Sequence, residues 1–132
     1  MWMLREPLYR SIRDRIRADE AAVRPAAAAL RADAAALVHD PGPAVTDKTF
    51  TPHSPTRDPH AYVSVATYYW PNPDTPDGLP YVPRDGRLSP DVHRYDRPRW
   101  DRAAGAMVTL VKAAWFLDGA DFARAAAARV RR

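Results

Sequence analysis

The stretch LDGADFARAAAARVRR, residues 117–132, decides the fold. DGAD at 118–121 breaks a helix, and Asp121 is a natural cap for the next one. Phe122, Ala126 and Val130 then recur every four residues, on one helix face. Upstream, Met107, Leu110, Val111 and Ala114 fall at i, i+3, i+4 and i+7, with Trp115 and Phe116 beside them. Two apolar stripes joined by a short turn predict an antiparallel αα-hairpin. Such a hairpin buries its apolar face only against stacked neighbours. Met107, Leu110, Val111, Phe116 and Phe122 are therefore expected to stay partly uncovered. The chain reads as truncated or as the front of a longer molecule, molten or self-associating by itself.

The opposite end is helical too. Leu8, Ile12 and Ile16 are spaced by four. Val23, Leu30 and Leu37 recur every seven, in one helix with Pro25 in its first turn, where a missing N–H costs nothing. DPGP at 40–43 ends it. The expected fold class is all-α, with helices over 1–40 and a helical hairpin over 99–132.

Between them, residues 41–98 hold 12 of the 14 prolines and five of the six tyrosines, which excludes continuous helix. AYVSVATYY alternates, and predicts a brief strand around 62–68. The remainder, including TYYWPNPDTPDGLPYVPRDG at 67–86, carries turn signals. A loop this long is functional or disordered, and disordered linkers are poor in aromatic rings. The segment is therefore an ordered functional loop.

Hydrophobic residues make up 46% and charged residues 27% of the 132, a globular composition suited to one domain or a piece of one. With no cysteine there is no disulfide framework and no thiolate chemistry. No apolar run is long enough to span a membrane. MWMLREPLYRSIRDRIR lacks an apolar core and a small-residue cleavage site, so no secretory signal is visible. The net charge of +4 comes from residues 99–132, with 7 basic against 3 acidic groups. Arg124, Arg129, Arg131 and Arg132 read as a solvated helix face rather than a phosphate-binding stripe.

Tyr62, Tyr68, Tyr69, Trp70 and Tyr81 are flat rings, most with polar tips, suited to a sugar with one apolar and one hydroxylated side. The competing reading is that they pin the loop to the helices, with Trp70 an internal anchor. Arg84 and Arg87 offer forks for carboxylates, or else pair with Asp85 or Asp91 on the surface. His39, His53, His60 and His93 lack the helical i, i+4 spacing of a zinc pair. Only His60 and His93 flank the aromatic loop. NPDTPDG places Pro73 where a calcium loop needs its first oxygen, so it fails as an EF-hand. Nucleotide-binding glycine motifs and the serine-hydrolase elbow are absent.

VTDK at 45–48, HAYVSVATYYWPNPDTPDGLPYVPRDG at 60–86, and YDRPRW at 95–100 followed by AAWFLDGADFARAAAARV resemble the front of the alginate-lyase domain of polysaccharide lyases. Tyr62, Ser64, Tyr68, Trp70, Pro71, Pro73, Asp77, Gly78, Pro80, Tyr81, Asp85 and Gly86 fit its signature. Ala61 stands where an acid is often found, and SPD at 89–91 replaces an NPE-like step. The resemblance implies an α/α toroid of helical hairpins, here incomplete, and β-elimination of a uronate polysaccharide. It implies no obligatory metal or other cofactor. Its partner is an anionic polysaccharide, alginate or a related polyuronate, not nucleic acid. It implies a periplasmic or secreted location, with catalytic groups beyond Arg132 and this fragment inactive. Substrate-binding residues are expected at Tyr68, Tyr69, Trp70, Tyr81 and Arg84. A noncatalytic carbohydrate-binding helical domain is the alternative, and a basic nucleic-acid module a weaker third.

Overall fold

The computed structural model describes residues 6–48 and 58–131. The chain divides into two compact units, Met1–Gly42 with Ala103–Arg132, and Pro43–Arg102. Among the described residues it is all-α apart from one two-stranded ribbon. Its helices are α1 (Glu6–Arg17), α2 (Arg24–Val38), α3 (Asp96–Phe116) and α4 (Ala120–Val130). No described helix is long and apolar enough to cross a membrane.

The first unit is built on alanine. Ala34, Leu110, Ala113 and Ala126 form its buried core, with Leu30, Leu37, Val38, Leu117, Phe122 and Ala125 packed around them. Short side chains let helices approach closely, and α2 packs on α4. Leu30 and Leu37 face this core as their spacing predicts, and Pro25 sits in the first turn of α2. α1 buries no residue completely. It docks through long side chains instead. Tyr9 stacks on Phe116 with ring centroids 5.8 Å apart, and the Arg13 guanidinium lies 4.6 Å from the Trp115 ring.

The predicted hairpin is α3 and α4, joined by residues 117–119. Its cap differs from expectation. Gly119 is the N-cap and Asp121 falls in the first helical turn, where its charge favours the helix dipole. The Phe122 ring lies against Gly119 and leaves no room there for a Cβ, so glycine holds the cap. Asp118 takes φ 53° in the turn and accepts hydrogen bonds from Arg13 and Arg17. The forecast of uncovered apolar groups holds for Val111, 53% exposed, but fails for Leu110, which is fully buried. Leu110 faces Ala34 and Ala126, whereas Val111 points a hundred degrees away around the helix.

Arg129 also departs from the solvated face expected of it. Its side chain is 6% exposed and donates to the carbonyls of Leu37 and Asp40 at the C-terminus of α2. Arg124 is exposed and pairs with Asp121. Arg132 and His53 lie outside the described residues, while His39, His60 and His93 are exposed.

In the second unit, β1 (Tyr69–Trp70) pairs antiparallel with β2 (Val82–Pro83), Tyr69 opposite Pro83 and Trp70 opposite Val82. The strand expected around 62–68 is absent as a hydrogen-bonded strand. Those residues do alternate, with Val63 and Val65 half-buried and Tyr62 and Ser64 exposed. Their backbone partners are Asp96 at the start of α3 and Ser89 rather than a neighbouring strand, so the ladder closes only at 69–70. The Asn72 amide N–H donates to the Gly78 carbonyl at 2.8 Å, closing the intervening turn, and Leu79–Pro80 is cis.

Candidate functional site

Two turns and the ribbon present the aromatic loop. The Arg84 N–H donates to the Tyr68 carbonyl at 2.8 Å, and the Arg87 N–H to the Arg84 carbonyl at 3.1 Å. The DG turn at 85–86 therefore folds back beside β1. The indole Nε1 of Trp70 donates to the Arg87 carbonyl at 3.0 Å, which ties the ring to that turn. Arg84 then places its guanidinium 4.7 Å from the centre of the Trp70 ring. Tyr68 and Tyr69, 46% and 43% exposed, stand next to it in sequence.

Arg84 makes no ion pair with any described residue, so the expected surface pairing with Asp85 or Asp91 does not form. Asp91 is engaged by Arg94 at 3.2 Å. A stacked guanidinium keeps its N–H edge available for a planar carboxylate.

The Tyr81 hydroxyl shares a hydrogen bond with that of Tyr95, which is 4% exposed. Burial and this hydrogen bond push the Tyr95 phenol well above its usual range, so it holds its proton. Trp70 and Arg84 thus form an aromatic and basic ledge on one face of the ribbon, with Tyr68 opposite Arg84 in register, while Tyr69 pairs with Pro83 and points to the other face.

Lys48 and Asp96 are polar residues that the sequence reading quoted without assigning a role. Their side chains are 2% and 1% exposed and meet at 2.8 Å. The chain uses 18 arginines and two lysines, so a lysine kept in VTDK was the available signal. Among the described residues no group of His, Asp or Glu is placed to hold a metal ion.

A family model described as alginate lyase matches residues 44–132. An alginate lyase from Bacteroides ovatus, known from its crystal structure, is 31% identical and superposes with a TM-score of 0.82. The match covers 96% of this chain and 32% of that one, so the chain spans about a third of that enzyme's length. No curated protein sequence matches. With the signature aromatic loop, the αα-hairpin and both matches in agreement, the chain belongs to the alginate lyase family.

Proposed function

We propose that this chain is part of a polysaccharide lyase that cleaves alginate or a related polyuronate by β-elimination, and that its own part is to hold sugar on the ledge. The observation that carries the reading is Arg84, stacked on Trp70 with no acidic partner among the described residues. A uronate supplies what the ledge lacks: a carboxylate for the fork and an apolar ring face for Tyr68, which stands opposite Arg84.

β-Elimination makes three demands. The C5 carboxylate is neutralised so that the C5 proton becomes acidic, a base removes that proton, and an acid protonates the departing glycosidic oxygen. Arg84 suits the first demand. The chain spans about a third of its solved relative, and we place the base and acid in the portion it does not span. On this reading residues 1–132 alone are inactive, and the helical hairpin at 99–132 contributes to an α/α toroid. The helices of 1–40 and the loop of 41–98 belong to the same domain. A periplasmic or secreted location follows from the substrate.

The test is a titration of the purified chain with oligomannuronate, alongside an absorbance assay for unsaturated product. Binding that is lost in Arg84→Ala, with no turnover, is expected. Wild-type affinity in Arg84→Ala overturns the assignment of Arg84, and turnover by the chain overturns the placement of the base and acid. Equal binding of neutral oligosaccharides favours a noncatalytic carbohydrate-binding domain, for which the exposed Tyr68 and Tyr69 rings would suffice.

A further inference from the structure

We propose that Lys48 and Asp96 are positioning residues that set the register in which residues 61–70 run toward the ledge. The inference rests on the ledge being the sugar site. Lys48 Nζ donates to Asp96 Oδ2 at 2.8 Å and to the Ala61 carbonyl at 2.7 Å. Asp96 Oδ2 also accepts the Val63 N–H at 2.8 Å, and the Asp96 N–H donates to the Val63 carbonyl at 2.9 Å. One ion pair therefore clamps both sides of Tyr62 to the first residue of α3.

The clamp acts ahead of the ladder, which begins at Tyr69. Beyond Val63, the run is tied by Ser89 N–H to the Thr67 carbonyl and Arg84 N–H to the Tyr68 carbonyl, each at 2.8 Å, before β1 begins. Val63 and Val65 face inward and Tyr62 and Ser64 outward, so a slip of one residue exchanges the two sets. It also moves Tyr68 and Trp70 out of register with Arg84.

Stability alone does not account for the pair. Burying two charges costs about as much as their attraction returns, and apolar replacement of both is often neutral. Asp96 Oδ1 is itself buried without a hydrogen bond, with the Arg99 guanidinium 3.8 Å away. An unsatisfied oxygen is a cost that a purely stabilising core position would not retain. A register device explains why charge is kept at this place.

The experiment compares wild type, Lys48→Met, Asp96→Leu and the double variant in the full chain. Melting temperature reports stability. The indole N–H resonance of Trp70, assigned with Trp70→Phe, reports ledge geometry without ligand. Oligomannuronate titration reports function. Each single variant is expected to melt lower. The double variant is expected to melt above either single but below wild type, because the Val63 N–H and the Ala61 carbonyl lose their partners, and to show a shifted or split Trp70 resonance and roughly tenfold weaker binding. A double variant that matches wild type in resonance and affinity overturns the proposal. If the double does not fold, Asp96→Asn decides, since it keeps an oxygen for the Val63 N–H and removes the charge. It is expected to shift the Trp70 resonance, and an unmoved resonance overturns the proposal. Arg84→Ala with unchanged binding defeats the sugar site instead, and leaves the Trp70 resonance as the measure of register.

Discussion

The side chain of Arg129 on α4 closes the C-terminus of α2, donating to the Leu37 carbonyl at 3.0 Å and to the Asp40 carbonyl. The last carbonyls of a helix have no partner inside it, and the buried guanidinium satisfies that of Leu37 together with the Asp40 carbonyl just past the helix end. Arg129→Met keeps most of the stem and leaves those carbonyls unpaired. A loss of about 1–3 kcal/mol is expected from urea unfolding. Arg129→Lys is expected to restore only part of it, since a point charge cannot reproduce the fork. Gly42, at φ +69° with the Arg129 guanidinium where a Cβ would stand, makes a second test. Gly42→Ala is expected to cost about 1–2 kcal/mol.

The two arginines of α1 that hold Asp118 predict a dependence on pH. Hydrogen bonds from Arg17 and Arg13 lower the Asp118 pKa to about 2. Its folded value lies below its unfolded value of about 4. The contribution is therefore complete above pH ~4 and is lost as pH falls toward about 2. Asp118→Asn tolerates the turn's positive φ but carries no charge. Its urea midpoint is expected to converge with that of wild type as pH drops from about 5 to 2. Parallel curves across that window would show that the pair does not contribute. Arg17 and Asp118 are about half exposed, so added salt is expected to shrink the difference at neutral pH.

The helices were legible because apolar spacing and proline placement are local signals. Leu30, Leu37 and Pro25 sit where those signals put them. Strand pairing depends on what a segment faces. The alternation at 62–66 was readable, but that its bonded neighbour is the start of α3 rather than a strand was not. Arg129 was misread for a similar reason. Its partners, Leu37 and Asp40, lie some 90 residues away, and a run of arginines at a helix end looks the same whether solvated or buried. Of the ledge, the signature supplied Tyr68 and Trp70, and the chemistry of the guanidinium fork supplied Arg84. Neither supplied the division of the ribbon's faces, with Trp70 and Arg84 on one and Tyr69 on the other, nor the bond between the Tyr81 and Tyr95 hydroxyls.

The contrast between Leu110 and Val111 tests the helical phase of α3. Leu110 is fully buried and Val111 is 53% exposed beside Met107, Val108, Trp115 and Phe116, which line an open apolar groove of about 610 Å³. Leu110→Ala is expected to cost about 2–5 kcal/mol. Val111→Ser is expected to stay within about 0.5 kcal/mol of wild type. If the serine variant is as damaging as the alanine one, Val111 is covered in solution, and size-exclusion chromatography would reveal whether a second copy covers it.

Trp70 both anchors the ledge and forms part of it, and a mutant cycle separates the two. Its Nε1 is bound to the Arg87 carbonyl, while its ring lies beside Arg84. Trp70→Phe keeps a ring for Arg84 and removes the donor. It is expected to lose about 0.5–1.5 kcal/mol of stability, with oligomannuronate affinity nearly retained. Trp70→Ala removes donor and ring together. The ring is only half-buried, so the stability loss is expected to reach about 2–3 kcal/mol, below that of a fully buried tryptophan. Affinity should fall as far as in Arg84→Ala, because the arginine loses its support. The double variant Trp70→Ala with Arg84→Ala should then bind no worse than either single. Strictly additive losses would mean that the two side chains meet the sugar independently, and that the stack does not aim the guanidinium.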